Sequence, residues 1–463
     1  MRRAMGCKAG PLDAGLGMDI DGYIADTVFP PHFPWHFVPS WIDHVLLVNA
    51  IVPPRAARGP FRYLDLGCGP GFHLLAMAAG APEAEFVGTD ANPETTRRAG
   101  ELARALGLDN VSFRTETFEQ TAAAIRPEYD YASALGVLSW ISAENRARVF
   151  QIIADALRPG GAAAIGYNSL PGRTGELLIQ GMILDAVKRA PASQSASIAG
   201  TMDLIRDLAT SGAQALQSDR IQAMLRSYEG QDPDFLPHEY LSEHWCPLAS
   251  ADMLRMAGRH GLEFVGALAE KEITKRFLLN KAQRGLIASM VDDVERERMV
   301  DLCLDQHFRR DLFVKAPRAG MAGADDRLAG FFVATCRPED VVFERAMPAG
   351  VLRFDNPVAR AILAALADGP RQLAEIAQPG TVADCLNTVD ALIAAELIRP
   401  CDPPEACDVD GINTWILSEI AAGRATIRTL MTRHGAIKPP ADVLEALAGG
   451  EQLSKEDAKR FGL

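Results

Sequence analysis

From Phe61 to Gly172, short apolar runs alternate with longer amphipathic stretches. The runs Arg62–Leu66, Glu85–Thr89, Val111–Thr115, Tyr129–Val137 and Ala162–Tyr167 have the length and apolar content of buried strands. Between them the spacing predicts helices over Phe72–Ala79, Pro93–Leu106, Phe118–Ile125 and Ala143–Leu157. Arg158-Pro159-Gly160-Gly161 predicts a turn that stops the last of these. Strand and helix in regular alternation imply an α/β fold with a doubly wound parallel sheet.

Beyond Gly172 the pattern changes. Thr174 to about Glu229 is helical with few strand formers, and then a helix over Ser250–Arg259, a Gly261 C-cap and a strand Leu262–Ala267 restore the α/β signature. The helical stretch therefore reads as an insertion, and the later strand as the chain returning to complete the sheet. Leu286 to Phe313 reads as largely helical, ending in Arg309 and Arg310 between Phe308 and Phe313. That basic pair reads as a solvated face beside two packed aromatics.

Toward the end, helices over Val358–Ala367, Leu373–Ala377 and Val382–Ala395, then Leu397-Ile398-Arg399, follow a winged-helix-like order. The third helix carries Asp384 and Asp390 with no lysine or arginine, so it reads as a packing or interaction module rather than a phosphate-facing one. The predicted organisation is a segment 19–60, a core 61–172, a helical insertion 173–236, a return segment 237–280, a helical middle region 281–345 and a C-terminal domain 346–463. Within the first, Ile24 to Trp41 is rich in aromatics and proline, and reads as either a lid or a packing strap.

The most specific chemistry lies at Asp65-Leu66-Gly67-Cys68-Gly69-Pro70-Gly71, a strand end followed by a glycine turn that opens a helix. Glycine lets a ligand lie against bare backbone and reaches positive φ cheaply. A dinucleotide fingerprint would place its third glycine at Phe72, one residue later. The early Gly71, with Asp65 two residues before the first glycine, resembles class I methyltransferases that use S-adenosylmethionine. The charges agree: a carboxylate repels a pyrophosphate but suits an ammonium and a sulfonium. Asp90 ends the next strand, where a ribose-binding carboxylate belongs. Thr117 and Phe118 follow the third strand, where adenine docks, and Ala134 and Leu135 close the fourth and complete the cofactor set.

Methyl transfer is an in-line displacement that rests on proximity and orientation and requires no metal. Tyr167 and Asn168, at the end of the fifth strand, can hydrogen-bond an acceptor nitrogen. Trp140 can wall a cationic chain by cation–π contact. Each also has a plain structural reading, the aromatics as core and Asn168 as a turn-fixing residue.

Composition narrows the partners. A chain of 463 residues suits two or three domains, and a net charge of −13 argues against a nucleic-acid partner while suiting a cationic substrate. The eight cysteines contain no C-x-x-C pair, which fits reduced cytosolic thiols and offers no zinc site. No apolar run approaches the roughly twenty residues of a membrane span. The start lacks the apolar stretch of a signal peptide, and Met18 is an alternative start. The expectation is a cytoplasmic protein.

Further local signatures are Gly22-Tyr23 with Pro39, Gly136-Val137 with Ser139-Trp140, and Tyr167-Asn168 with Pro171-Gly172, joined by His238-Glu239-Tyr240-Leu241 and Phe308-Arg309-Arg310-Asp311-Leu312-Phe313. Together with the glycine turn they resemble bacterial class I methyltransferases that carry a methyltransferase regulatory domain, some of which methylate protein lysines. The resemblance covers roughly residues 20 to 315. It implies a Rossmann-like core, a helical insertion that can mediate homodimerisation, and Glu239 returning to the site as proton acceptor or cation partner. Two departures bear on the acceptor: Leu135 stands where the family has histidine, and Arg173 where it has tryptophan. A protein lysine is the acceptor the resemblance suggests. A small molecule, or cofactor binding without catalysis, is the alternative.

Overall fold

The computed structural model describes residues 19–20, 23–24, 32–55, 59–190, 194–228, 241–242, 244–317, 321–376, 379–403, 407–423, 429–432 and 435–461. Its centre is a seven-stranded sheet. In chain order the strands are β1 (Arg62–Leu66), β2 (Glu85–Asp90), β3 (Val111–Thr115), β4 (Tyr129–Leu135), β5 (Leu157–Asn168), β6 (Leu262–Ala267) and β7 (Phe308–Lys315). They lie in the order β3-β2-β1-β4-β5-β7-β6. The first five are mutually parallel, and β7 runs antiparallel to both β5 and β6. The sequence direction of the sheet reverses between β1 and β4, the place where open α/β sheets bind ligands.

The first half of the chain folds as its pattern predicts. After an opening helix α1 (Pro39–Val48), α2 (Phe72–Gly80), α3 (Pro93–Ala105), α4 (Phe118–Ala124) and α5 (Ala143–Ala156) alternate with the strands. The start of α3 is legible because Asn92 caps the helix and Pro93 sits at its first position. The main boundary difference is that the predicted turn Arg158–Gly161 is absorbed into β5, while β4 stops two residues short of the expected Val137. Pairing with β4 jumps from Tyr129↔Leu157 to Tyr131↔Ala162. Gly160, at φ +82°, takes up the irregularity that proline and glycine signalled.

The larger correction concerns Phe308–Phe313. It is not the end of a helical segment but strand β7, between β5 and β6. Of the basic pair, Arg309 is not on a solvated face: it is 2% exposed and receives three carboxylates. The region expected to be a helical middle domain thus supplies a strand of the catalytic sheet, after the helices α10 (Lys281–Ala288) and α11 (Asp293–Leu304). The return to the sheet runs on to residue 315, well past the predicted 280.

The described part of the N-terminal segment is a strap. A 3₁₀ turn, Trp35–Phe37, leads into α1, and Phe37, Trp41, Ile42, Val45 and Leu46 are buried in the sheet's first core. Trp41 Nε1 donates to the Leu268 carbonyl at 2.7 Å and Tyr63 Oη to the Phe37 carbonyl at 2.9 Å. The insertion forms α6 (Thr174–Arg189), α7 (Gln194–Thr210) and α8 (Asp219–Tyr228), which share a small core of their own, including Ile179, Ile183 and Ile205. Helix α9 (Ser250–Arg259) leads into β6 as predicted.

At the C-terminus, α12 (Pro357–Leu366) and α13 (Val382–Ala394) match expectation, but the middle helix is only a 3₁₀ turn, Leu373–Glu375. Ile398–Cys401 pairs with the upstream strand Phe331–Ala334, which also pairs with Arg371–Gln372. Asp390 on α13 is buried against Arg327 at 2.5 Å, a packing contact. The residues beyond, including Trp415, Ile416, Leu430, Met431 and Leu444, pack on α2.

Candidate active site

The glycine turn leaves β1 at the switch point, and three of its residues lie in the left-handed region: Gly67 at φ +68°, Gly69 at +55° and Gly71 at +65°. Their surroundings differ. A Cβ on Gly67 would sit 2.5 Å from Val137 Cγ2, and one on Gly71 would collide with the Phe113 ring. A Cβ on Gly69 would meet nothing within 4 Å. Gly67 and Gly71 are therefore glycine for the protein's own packing. Gly69 faces open space, a bare backbone cradle of the kind a bound nucleoside needs.

Two carboxylates flank that cradle. Asp90 Oδ2 accepts from the Gly69 amide at 3.0 Å and Oδ1 from the Asn92 amide at 2.8 Å. Asp90 thus ties the turn to the end of β2, and each oxygen keeps a lone pair for a ribose hydroxyl. Burial pushes its carboxyl above the ordinary range, while those two N–H groups pull the other way. Asp65 is only 2% exposed. It accepts from Ser133 Oγ, its partner in register on β4, and pairs with His73 Nε2 at 2.9 Å. The carboxylate expected to help hold the cofactor's ammonium, directly or through a water, also ties β1, β4 and the first turn of α2 together, with one partner on each oxygen. Cys68 is buried, and burial pushes its thiol well up, so its place in the turn is steric.

The other cofactor candidates fall unevenly. Thr117 caps α4 reciprocally with Gln120 and is exposed, while Phe118 is half-buried against the second core. Ala134 is fully buried in that core, so only its backbone can serve a ligand. The Leu135 side chain lies over Gly166, where Phe308 and Phe37 converge with it. With the strap, these residues make an apolar wall at the carboxyl end of β4 and β5.

The catalytic candidates divide as well. Tyr167 is fully buried and its hydroxyl donates to Asp311 Oδ2 at 2.6 Å. Burial and the adjacent Asp311 push the phenol well above its ordinary value. It belongs to the ion cluster beneath the sheet and does not face an acceptor. Asn168 lies on the opposite face, beside Gly166 and opposite Phe308. Its backbone N–H donates to Ser139 Oγ and its backbone carbonyl accepts from the Leu248 amide, which fixes the backbone at the strand's end. Trp140 is half-buried, 6.3 Å from the Trp245 ring. Glu239, with His238 and Tyr240, lies outside the described residues. Arg173 pairs with Glu176 at the start of α6.

Beneath the sheet, Arg309 binds Asp311 at 2.8 Å, Asp301 at 2.5 Å and Glu297 at 3.1 Å. Burial, with repulsion from Asp311, lifts Asp301 to about 6 even against the arginine. Nearby, Glu272 accepts from Gln306 Nε2 at 3.0 Å, and burial lifts it to about 7. Sequence inspection missed Ser133, His73 and Phe113 at the cradle. Ser133 had a signal, since it lies on the same face of β4 as Leu135, two residues on.

Two family models match the chain: a methyltransferase domain over residues 64–161, and a predicted methyltransferase regulatory domain over 232–315. The chain is an S-adenosylmethionine-dependent methyltransferase of class I fold that carries this regulatory domain. The methyltransferase is 25% identical over 359 residues to an uncharacterized protein of Synechocystis sp., covering 77% of this chain and 71% of that one. It is 40% identical over 104 residues to ribosomal RNA small subunit methyltransferase G of Synechococcus sp., covering 21% of this chain and 41% of that one. Its fold matches PKMT2 from Rickettsia typhi in complex with AdoHcy, with TM-score 0.67 and 16% identity over 93% of this chain and 90% of that one. The described part of the regulatory-domain match contains β6 and β7, so this part of the methyltransferase is built into the catalytic sheet.

The cradle fits S-adenosylmethionine: an open glycine at Gly69, a doubly anchored carboxylate at Asp90 and no basic phosphate ligand in the turn. Among the described residues, no group of three or more His, Cys, Asp or Glu side chains is placed to hold a metal ion. Nor is any helix among them long and apolar enough to cross a membrane.

Proposed function

We propose that the methyltransferase acts on a protein amine, the side chain of a lysine. One observation carries this reading: the likeness to PKMT2 runs through nine-tenths of both chains, accessory regions included. Bound S-adenosylmethionine supplies an electrophilic methyl group on its sulfonium. The chain's own residues then have two tasks. Gly69 and Asp90 hold the nucleoside, so the methyl is presented at the end of β4. The wall of Leu135, Phe308 and Phe37 excludes water from the acceptor. A lysine amine has a pKa of about 10.4, so making it neutral at pH 7 costs roughly 4–5 kcal/mol. An apolar wall lowers that cost by penalising the ammonium form.

The test is transfer of a labelled methyl group from S-adenosylmethionine in bacterial cell extract, followed by mass spectrometry. Methyl-lysine in polypeptides is the expected product. Label found only in extractable metabolites or in RNA would overturn the lysine reading while leaving the methyltransferase intact.

A further inference from the structure

Leu135 on β4, Gly166 on β5 and Arg310 on β7 lie in one register row. Neighbours across a sheet point to the same face, so Arg310 shares its face with Leu135, Asn168 and, further along, Asp65. It stands two strand spacings beyond Leu135, about 10 Å. Gly166 between them has no side chain, and the place its Cβ would take is filled by Leu135, Phe308 and Phe37. The row thus runs outward from the methyl-transfer end of β4 across an apolar floor to a guanidinium.

That guanidinium is half-buried and lies 4.9 Å over the Phe308 ring, with no ion-pair partner among the described residues. The nearby carboxylates are engaged elsewhere. Glu270 is held by His36 Nε2 at 2.9 Å and faced by Arg399 Nη2 at 3.8 Å. Glu272 is held by Gln306 and, lifted to about 7 by burial, is only partly ionised near neutrality. Arg399 adds a second positive charge. It is 4% exposed and stacked 3.5 Å over Trp35, with Nε and Nη1 unpartnered. Burial also holds His36 in its neutral form. Glu270 is thus shared between Arg310 and Arg399, while Glu396, the other carboxylate acting on Arg399, also pairs with Lys271 and Arg345. Glu270 and Glu272 both attract Arg310, but neither forms an ion pair with it, so a ligand carboxylate would complete its surroundings.

We propose that Arg310 reads a carboxylate on the methyl acceptor. Resting on the protein-amine reading above, the preferred target is a lysine with an acidic residue beside it. Cofactor and carboxylate then bracket the amine from the two ends of the row. Arg310 sets specificity and takes no part in the displacement.

The test is calorimetric titration of three peptides into the full-length protein saturated with S-adenosylhomocysteine: acetyl-Glu-Lys-Glu-amide, acetyl-Gln-Lys-Gln-amide and acetyl-Glu-norleucine-Glu-amide. The acidic lysine peptide is expected to bind at least tenfold tighter than the neutral one. Arg310→Gln should erase that difference, Arg310→Lys should restore part of it, and neither should change S-adenosylhomocysteine affinity more than twofold. Equal binding of the acidic and neutral peptides to the wild type, or binding of neither, overturns the proposal without recourse to any variant. So does loss of cofactor affinity in Arg310→Gln, which would assign the arginine to the cofactor. If the norleucine peptide binds as well as the acidic lysine peptide and loses that binding in Arg310→Gln, carboxylate recognition stands and the amine reading falls.

Discussion

The two ends of the active-site crevice are built in opposite ways. At the cofactor end, recognition rests on backbone: three left-handed glycines within five residues, and a carboxylate whose oxygens anchor to amides of the turn and of the α3 cap. At the proposed acceptor end, side chains are brought together from positions 36, 135, 168, 270, 310 and 399. A backbone cradle is specified by a few consecutive residues and is hard to alter without loss. A surface assembled from distant side chains changes by single substitutions. The glycine motif is complete, and Leu135, one of the two departures from the resemblance, lies over Gly166 at the proposed acceptor end.

The heaviest blow to the outer end should come from Arg309→Met. Removing that guanidinium leaves Asp311, Asp301 and Glu297 buried without it, and breaking a buried ion cluster costs about 3–5 kcal/mol. Urea unfolding should show that loss. A change under 1 kcal/mol would mean that the cluster is not what holds β7.

Next is the pH dependence of the same region. Glu272 has its folded pKa lifted to about 7, above the ordinary carboxylate value. The folded state therefore binds more protons than the unfolded state between about pH 4.5 and 7, so this group's contribution to stability falls as pH rises through that window. Glu272→Gln removes the penalty. The variant should be more stable than wild type at pH 8 by about 2–3 kcal/mol, with the gap closing toward pH 5. A gap that widens on acidification would contradict the burial assigned to this carboxyl.

The cofactor end is best probed by two alanines. Gly69→Ala places a Cβ in open space, so its folding penalty is confined to positive φ, about 1–2 kcal/mol. It should nonetheless abolish measurable S-adenosylmethionine binding, because the methyl fills the cradle. Gly71→Ala adds a collision with Phe113 and should lower the melting temperature further. If both variants lost stability equally and Gly69→Ala still bound the cofactor, Gly69 would not line the site. The smallest effect belongs to Tyr167→Phe. It deletes one buried hydrogen bond to Asp311, worth about 1–2 kcal/mol, and should leave kcat for methyl transfer within a fewfold. A loss of a hundredfold or more would restore the catalytic role first read for this tyrosine.

The contrast also explains what could be read from the sequence. Strands β1 and β3 and helix α9 lie where the apolar pattern puts them, because their periodicity is local. The Asp65–Gly71 motif and Asp90 were legible for the same reason. Strand β7 was not, since Arg309, Arg310 and Asp311 give eight residues a surface-like composition. The carboxylates that neutralise Arg309 lie 8 and 12 residues upstream on α11, a match visible only once helix and strand pack together. Asp65 was recognised but its protein partners were not, because His73 and Ser133 come from α2 and from the register of β4. Arg310 was noticed as part of a basic pair. Strand alternation, invisible while the segment read as helix, is what separates it from Arg309.

Helix α2 has no outward side. Leu74, Met77 and Ala78 face one core while Phe72, Leu75, Ala76 and Ala79 face another, completed by Ile416, Leu430, Met431 and Leu444 from the last sixty residues. Even Gly80 is close-fitted, since a Cβ there would fall 2.8 Å from Met431 Cε. The chain's tail is thus a splint on the helix that carries the glycine turn. A shortened chain ending near residue 400 would present four apolar side chains to water, just behind the methyl-donor cradle. The tail's packing thus ties the far end of the described chain to the helix that opens from the glycine turn.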